Sequence, residues 1–212
     1  MGVETFFYLT VSGFFNIVAT MKTHIATNLL QSITAQQAFA EASTERIIQL
    51  AEWTVETFRS GGKLLILGNG GSAADAQHMA AEFVNRFKIN RPPLPAVALT
   101  TDTSILTSIG NDFGFDLIFV KQIQALGKPG DLVLAISTSG KSPNIMKAVE
   151  TARDMGLKTV ALTGGTSRPG GDLGLIVDLL LNVPTDSTPH IQETHLWVEH
   201  MVCELVEKEI FG

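Results

Sequence analysis

A single cysteine in 212 residues, Cys203, leaves no partner for an internal disulfide, and such a chain suits the reducing cytoplasm. Charge is scarce too: Asp, Glu, Lys and Arg make up 17% of the residues, with a net charge of -6. No Lys/Arg cluster occurs, which excludes an electrostatic footprint for nucleic acid or an anionic membrane. Any anion site must therefore work through local dipoles. No Lys or Arg precedes Lys22, so the apolar stretch 1–20 lacks the basic start of a signal peptide. Glu4, Ser12, Gly13 and Asn16 break it too often for a membrane span. We expect Met21 to be the natural start, with residues 1–20 an upstream over-read or a disordered extension. There is no internal repeat and no low-complexity tract.

What is plentiful is apolar. Hydrophobic residues form 45% of the chain and mean hydropathy is +0.23, a balance suited to a subunit that buries much of itself in a homo-oligomer. The length fits one domain, expected over 21–212 and led by two helices as an N-terminal helical hairpin. After Gly61-Gly62, five apolar runs (63–67, 95–99, 131–136, 158–162 and 175–183) alternate with helical patterns at 72–88, 103–109, 115–127, 142–155 and 189–210. Runs buried on both faces and joined by crossover helices predict an α/β fold with a five-stranded, parallel, doubly wound sheet. Ligands of such sheets bind at the carboxyl ends of the strands.

The third run opens into Ser137-Thr138-Ser139-Gly140-Lys141-Ser142 and then a helix. Unpaired N–H groups at a helix start favour a phosphate, and four hydroxyls add donors where capping needs only one. The first run ends in Gly68-Asn69-Gly70-Gly71-Ser72-Ala73, formally a dinucleotide fingerprint. The acidic residue that should hold a ribose is missing where the pattern wants it, which disfavours a nucleotide cofactor. The glycines suit a tight turn against a small polyhydroxylated ligand.

His78 and Glu82 share a helix face, and Gln192 and His200 are polar positions on an otherwise apolar last helix. Imidazole and carboxylate are ordinary ligands of a divalent metal, zinc by default. Eight residues of helix span about 12 Å, so Gln192 and His200 could meet one ion only from opposite ends or from different subunits. His195 lies on another face of that helix and reads as structural or interfacial. Asn111-Asp112 falls in an expected loop after the second strand.

Together these motifs, with Asn111-Asp112-Phe113-Gly114 and Ile191-Gln192-Glu193-Thr194-His195, resemble the sugar isomerase (SIS) domain family, specifically its phosphoheptose isomerases, from about Leu30 to the C-terminus. The resemblance implies a flavodoxin-like fold with N-terminal helices used in oligomerisation, and cytoplasmic homotetramers with sites between subunits. It implies conversion of sedoheptulose 7-phosphate to D-glycero-D-manno-heptose 7-phosphate for lipopolysaccharide core or related glycans. Glu82 and His200 would be catalytic. Asn69, Gly70, Gly71, Ser72, Asn111, Asp112 and Gln192 would contact substrate, and Ser137, Thr138, Ser139 and Ser142 would hold its phosphate. One zinc per subunit would sit on His78, Glu82, Gln192 and His200. The alternative within the same fold is a non-catalytic protein that binds the replication initiator DnaA, which the segment from Ala76 to Leu99 also resembles. Retention of both Glu82 and His200 favours the enzyme.

Overall fold

The computed structural model describes residues 3–212, with side chains described from Ile17 onward, and it does not test whether residues 1–20 precede the natural start. Five parallel strands, β1 (Leu64–Gly68), β2 (Ala96–Ala98), β3 (Leu132–Ile136), β4 (Lys158–Gly164) and β5 (Leu179–Val183), form one sheet in the order β2-β1-β3-β4-β5. Leu64–Leu67 and Leu132–Ile136 are fully buried, as a sheet covered on both faces requires. The register pairs Gly68 with Ile136 and Ile136 with Leu162, so β1 and β3 end level and open their loops on one edge. From β1 the chain steps outward to β2, then returns to β3 and continues the other way. The order reverses between β1 and β3, which is where a doubly wound sheet offers a ligand crevice.

One face of the sheet is covered by α1 (Val3–Arg59), α2 (Gly71–Val84) and α6 (Thr188–Phe211); the other is covered by α4 (Val120–Leu126) and α5 (Pro143–Asp154). The expected helical hairpin is instead one continuous helix, α1. Ser32, Ala35, Phe39, Ser43, Ile47 and Leu50 are all buried, so small residues carry the buried stripe straight through the stretch where large apolar side chains lapse. Upstream, Ile17, Met21, Ile25, Leu29 and Leu30 are 58–66% exposed, an apolar stripe on a helix arm.

α3 runs over Thr103–Phe113, four residues beyond the expected end at 109. Phe113 extends the row of Leu106 and Ile109 at helical spacing, and the turn waits for Gly114 at φ 94°. α3 has no buried residue, and Phe113 and Phe115 are exposed. The expected helix over 115–127 divides into a 3-10 turn (Phe115–Leu117) and α4, and the fifth strand starts at Leu179 because Leu173–Leu175 form another such turn. Among the described residues no helix is long and apolar enough to cross a membrane.

Candidate active site

The hydroxyl loop lies where β3 turns into α5. Ser142 occupies the cap position with Pro143 in the first turn, yet its hydroxyl makes no capping bond. Gly140 N–H donates to Ser137 Oγ at 3.1 Å, and Lys141 N–H donates to Ser139 Oγ at 3.3 Å. Gly140 has φ +60°, and a Cβ there would sit 2.0 Å from the Gly170 carbonyl oxygen, so only glycine fits. Thr138, Ser139 and Lys141 line a cavity of about 200 Å³ with Gly165, Arg168 and Asp186. The last three were not among the expected residues, although Gly164-Gly165 at the end of a strand resembles the glycine turn after β1.

After β1, Gly70 takes φ +56° and starts α2 without a side-chain cap, so the first N–H groups of the helix face outward. Ser72 is buried in this first turn. Asn69 and Asn144 exchange two amide hydrogen bonds of 2.9 Å across the crevice, tying the loop after β1 to α5. This fixes the two loops relative to each other. Gly71 is a close approach: a Cβ there would lie 2.3 Å from Gln192 Nε2.

Further along the same helices His78 Nε2 lies 2.8 Å from His200 Nε2 and 3.6 Å from Glu82 Oε1. Gly71 faces Gln192 and His78 faces His200, so α2 and α6 run side by side in one direction. Phe87 stacks on the His200 ring with centroids 5.6 Å apart. Burial, and then His78, hold His200 below the ordinary imidazole range against the pull of Glu82, so the ring is neutral at pH 7 and can take up a proton.

Three of the four expected metal donors therefore converge, and Gln192 of the same chain does not join them. It stands at Gly71, seven residues and about 10 Å of helix before His78. Among the described residues no group of three or more His, Cys, Asp or Glu has the arrangement of a metal site. Tetrahedral zinc with nitrogen bonds of about 2.0–2.1 Å separates its donors by roughly 3.3 Å. The 2.8 Å from His78 to His200 and the 3.6 Å from His78 to Glu82 fall on either side of that spacing.

Sequence reasoning passed over two buried carboxyls beside this cluster. Both oxygens of Glu199 and one of Asp75 have no hydrogen-bond partner among the described residues. Burial, and then Asp75, push Glu199 up to about 9, so it is a neutral acid at pH 7. Burial outweighs the attraction of His78 and raises Asp75 as well. The signal was available in the sequence: Glu199 interrupts the apolar row of Val198, Val202 and Val206. Cys203 is buried in the same row. His195 is 1% exposed and its Nε2–H donates to the Thr163 carbonyl at 3.0 Å; it is a core residue that ties α6 to β4.

Asn111 and Asp112 belong to the last turn of α3 and not to a loop. Both are exposed, and Asn111 Nδ2 donates to Asp112 Oδ1 at 2.8 Å. Within one chain, no hydrogen bond among the described residues joins them to the other candidate residues. A larger groove of about 750 Å³ between α1 and α6, lined by Ile48, Val55 and Leu205, holds none of the candidate residues.

The SIS domain family model matches residues 29–164. The phosphoheptose isomerase of Trichlorobacter lovleyi is 50% identical over 192 residues, which are 91% of this chain and 96% of that protein. The solved phosphoheptose isomerase of Neisseria gonorrhoeae superimposes with a TM-score of 0.83 at 43% identity, covering 89% of this chain and 99% of the other. That of Francisella tularensis gives 0.85 at 41% identity, covering 89% and 98%. These relatives lend no support to the DnaA-binding alternative. With that sequence identity over nearly its whole length, and with the paired loops and the α2–α6 cluster in place, the chain belongs to the SIS domain family, among its phosphoheptose isomerases.

Proposed function

We propose that the protein interconverts sedoheptulose 7-phosphate and D-glycero-D-manno-heptose 7-phosphate, supplying heptose for lipopolysaccharide core or a related glycan in the cytoplasm. The observation that carries this reading is the meeting of Glu82 and His200, 118 positions apart in sequence, around His78. Aldose–ketose exchange moves a proton between C1 and C2 through an enediol while charge grows on the carbonyl oxygen. Glu82 abstracts and returns the carbon-bound proton. His200, held neutral, carries the oxygen-bound proton or assists ring opening. The hydroxyl loop and the first turn of α5 bind the phosphate far from the reacting carbons, which keeps C1 and C2 in register with the base.

Zinc, one ion per subunit, is part of the proposal: His78, Glu82 and His200 would hold it, with Gln192 arriving only across a subunit contact. When bound it would supply Lewis acidity at the carbonyl oxygen. Assembly as a homotetramer is supported by distance. Glu82 lies eleven residues, about 16 Å of helix, beyond Gly71. A heptose phosphate spans roughly 10 Å, eight bonds of about 1.5 Å in a zigzag. Measured along α2, Glu82 is farther from the glycine turn than a heptose phosphate is long, and the bare stripe of α1 and the uncovered α3 supply surface for a second chain. Asn111 and Asp112 would reach sugar in the same way.

The test is to incubate the protein with sedoheptulose 7-phosphate in deuterated water and follow aldose formation and proton exchange by NMR. Glu82→Gln keeps the size of the side chain and loses the base, so turnover falls at least about 100-fold. Exhaustive chelation lowers turnover, and restored zinc recovers it. Wild-type-like turnover of the variant removes Glu82 from the reaction, and activity untouched by chelation removes the ion.

A further inference from the structure

The turn that follows α2, residues 85–91, is fastened to α6 by a buried ion pair. Arg91 Nε donates to Glu207 Oε1 at 2.9 Å, and each side chain is 1% exposed. The rest of the guanidinium serves the backbone. Nη2 donates to the carbonyl of Glu82 at 2.9 Å, and Nη1 donates to those of Phe83 at 2.8 Å and Pro92 at 3.0 Å. Glu82 and Phe83 stand in the last turn of α2, where carbonyls lack intrahelical partners, so Arg91 caps the helix through the catalytic residue's own peptide group. Glu207 in turn accepts the N–H groups of Phe87 at 2.9 Å, Lys88 at 2.7 Å and Ile89 at 2.9 Å. Burial pushes its carboxyl up, but these amides and Arg91 outweigh it and keep Glu207 charged. Phe87, fixed by the first of those bonds, is the ring stacked on His200.

We propose that the Arg91–Glu207 pair is a positioning device for the isomerisation, setting Glu82 through its carbonyl and His200 through Phe87 from a single anchor on α6. The proposal rests on the assignment of Glu82 and His200 as the reacting groups. A buried ion pair is weak support for stability, because apolar side chains of similar volume hold helices together as well. What the pair supplies is direction. The planar guanidinium forks onto carbonyls that a lysine or a hydrocarbon could not orient together. Lys88 and Glu204 form a second ion pair beside it at 2.5 Å, but Lys88 is 59% exposed and that pair only decorates the edge.

Three variants test it: Glu207→Gln, Arg91→Lys, and Phe87→Leu, which touches neither charge and keeps the test alive if the first two fold poorly. Leu157→Ala, just before β4 in the core on the other face of the sheet, serves as a control that loses stability without touching the anchor. Each is compared with the wild type in kcat, KM, Tm and the imidazole NMR signals of His200. A displaced base costs rate more than affinity, so kcat is expected to fall about 10-fold or more with KM within about 3-fold. The control keeps kcat within about 2-fold at a comparable fall in Tm. Variants whose kcat follows the control at equal Tm overturn the proposal. If the wild type itself shows no turnover, the assignment of the reacting groups has failed, and positioning is read from NMR alone. His200 signals that move in Glu207→Gln and not in Leu157→Ala then support the anchor, and unmoved signals overturn it.

Discussion

At the scale of single residues, ionisable groups in this protein divide into those that meet solvent or an opposite charge and those that the fold strips of both. His195 is in the second class. Its only exchangeable proton goes to the Thr163 carbonyl, and burial brings its pKa down to about 4 despite that bond. The unfolded chain takes up a proton near pH 6.5 while the native state resists until about 4, so between those values the unfolded state binds more protons. The stability that this one group contributes is therefore complete above pH 6.5 and is lost as pH falls, by about 2 kcal/mol at pH 5. Burial of Glu199 acts in the opposite direction over the same range, so the His195 contribution is read from urea midpoints at pH 7 and pH 5 as the difference between the wild type and a variant without the imidazole. His195→Gln, which can still donate to Thr163 but cannot titrate, is that variant and should lose less between the two than the wild type does. Such a role was only half legible: the helical wheel separates His195 from His200, but spacing cannot tell a core histidine from one at an interface.

At the scale of elements, the strands were readable because a run buried on both faces leaves no other reading, as Leu132–Ile136 shows. The end of α3 was not. Gly110-Asn111-Asp112 has the composition of a turn, and what carries the helix past it is Phe113, one residue beyond, continuing the apolar row. The missed continuity of α1 has the same cause: Ala35 and Ser43 hold core positions that a search for large apolar residues does not register. The α2–α6 pair shows what sequence can and cannot supply at this scale. His78 with Glu82 was visible as a helical i,i+4 pair, whereas their meeting with His200 depends on two helices running in the same direction. Gln192 against Gly71 marks the other end of that contact. Gly71→Ala would drive a Cβ into Gln192 Nε2, which is the far end of a flexible side chain and can swing away. The expected result is a Tm close to wild type, because no core packing is lost, with an about 10-fold fall in kcat/KM as Gln192 leaves the substrate loop. A large fall in Tm with unchanged kinetics would make Gly71 a packing residue only.

At the scale of the whole molecule, one sheet brings the glycine turn and the hydroxyl loop to a common edge, and the helices on one face carry Glu82 and His200 about a helix length from the glycine turn. That separation is what the proposed second chain would bridge. It also gives the exposed stripe of α1 a measurable consequence. Leu29→Glu places a charge in the middle of that stripe, and light scattering should then report smaller assemblies with turnover lost in proportion, while far-UV circular dichroism stays unchanged. A tetramer that persists with full activity would move the contact elsewhere. Apolar composition alone pointed to an oligomer, and the structure adds that α3 has no buried residue and that the stripe from Ile17 to Leu30 is exposed, surfaces available to a second chain.

The unbroken path of α1 also governs how this protein can vary in length. Each residue added to or deleted from the arm turns everything before it by about 100° about the helix axis. A one-residue change would swing Ile17, Met21 and Ile25 out of line with Leu29, whereas a seven-residue change restores their bearing to within about 20°. Engineered insertions upstream of Ser32 should therefore be tolerated by phase and not by size.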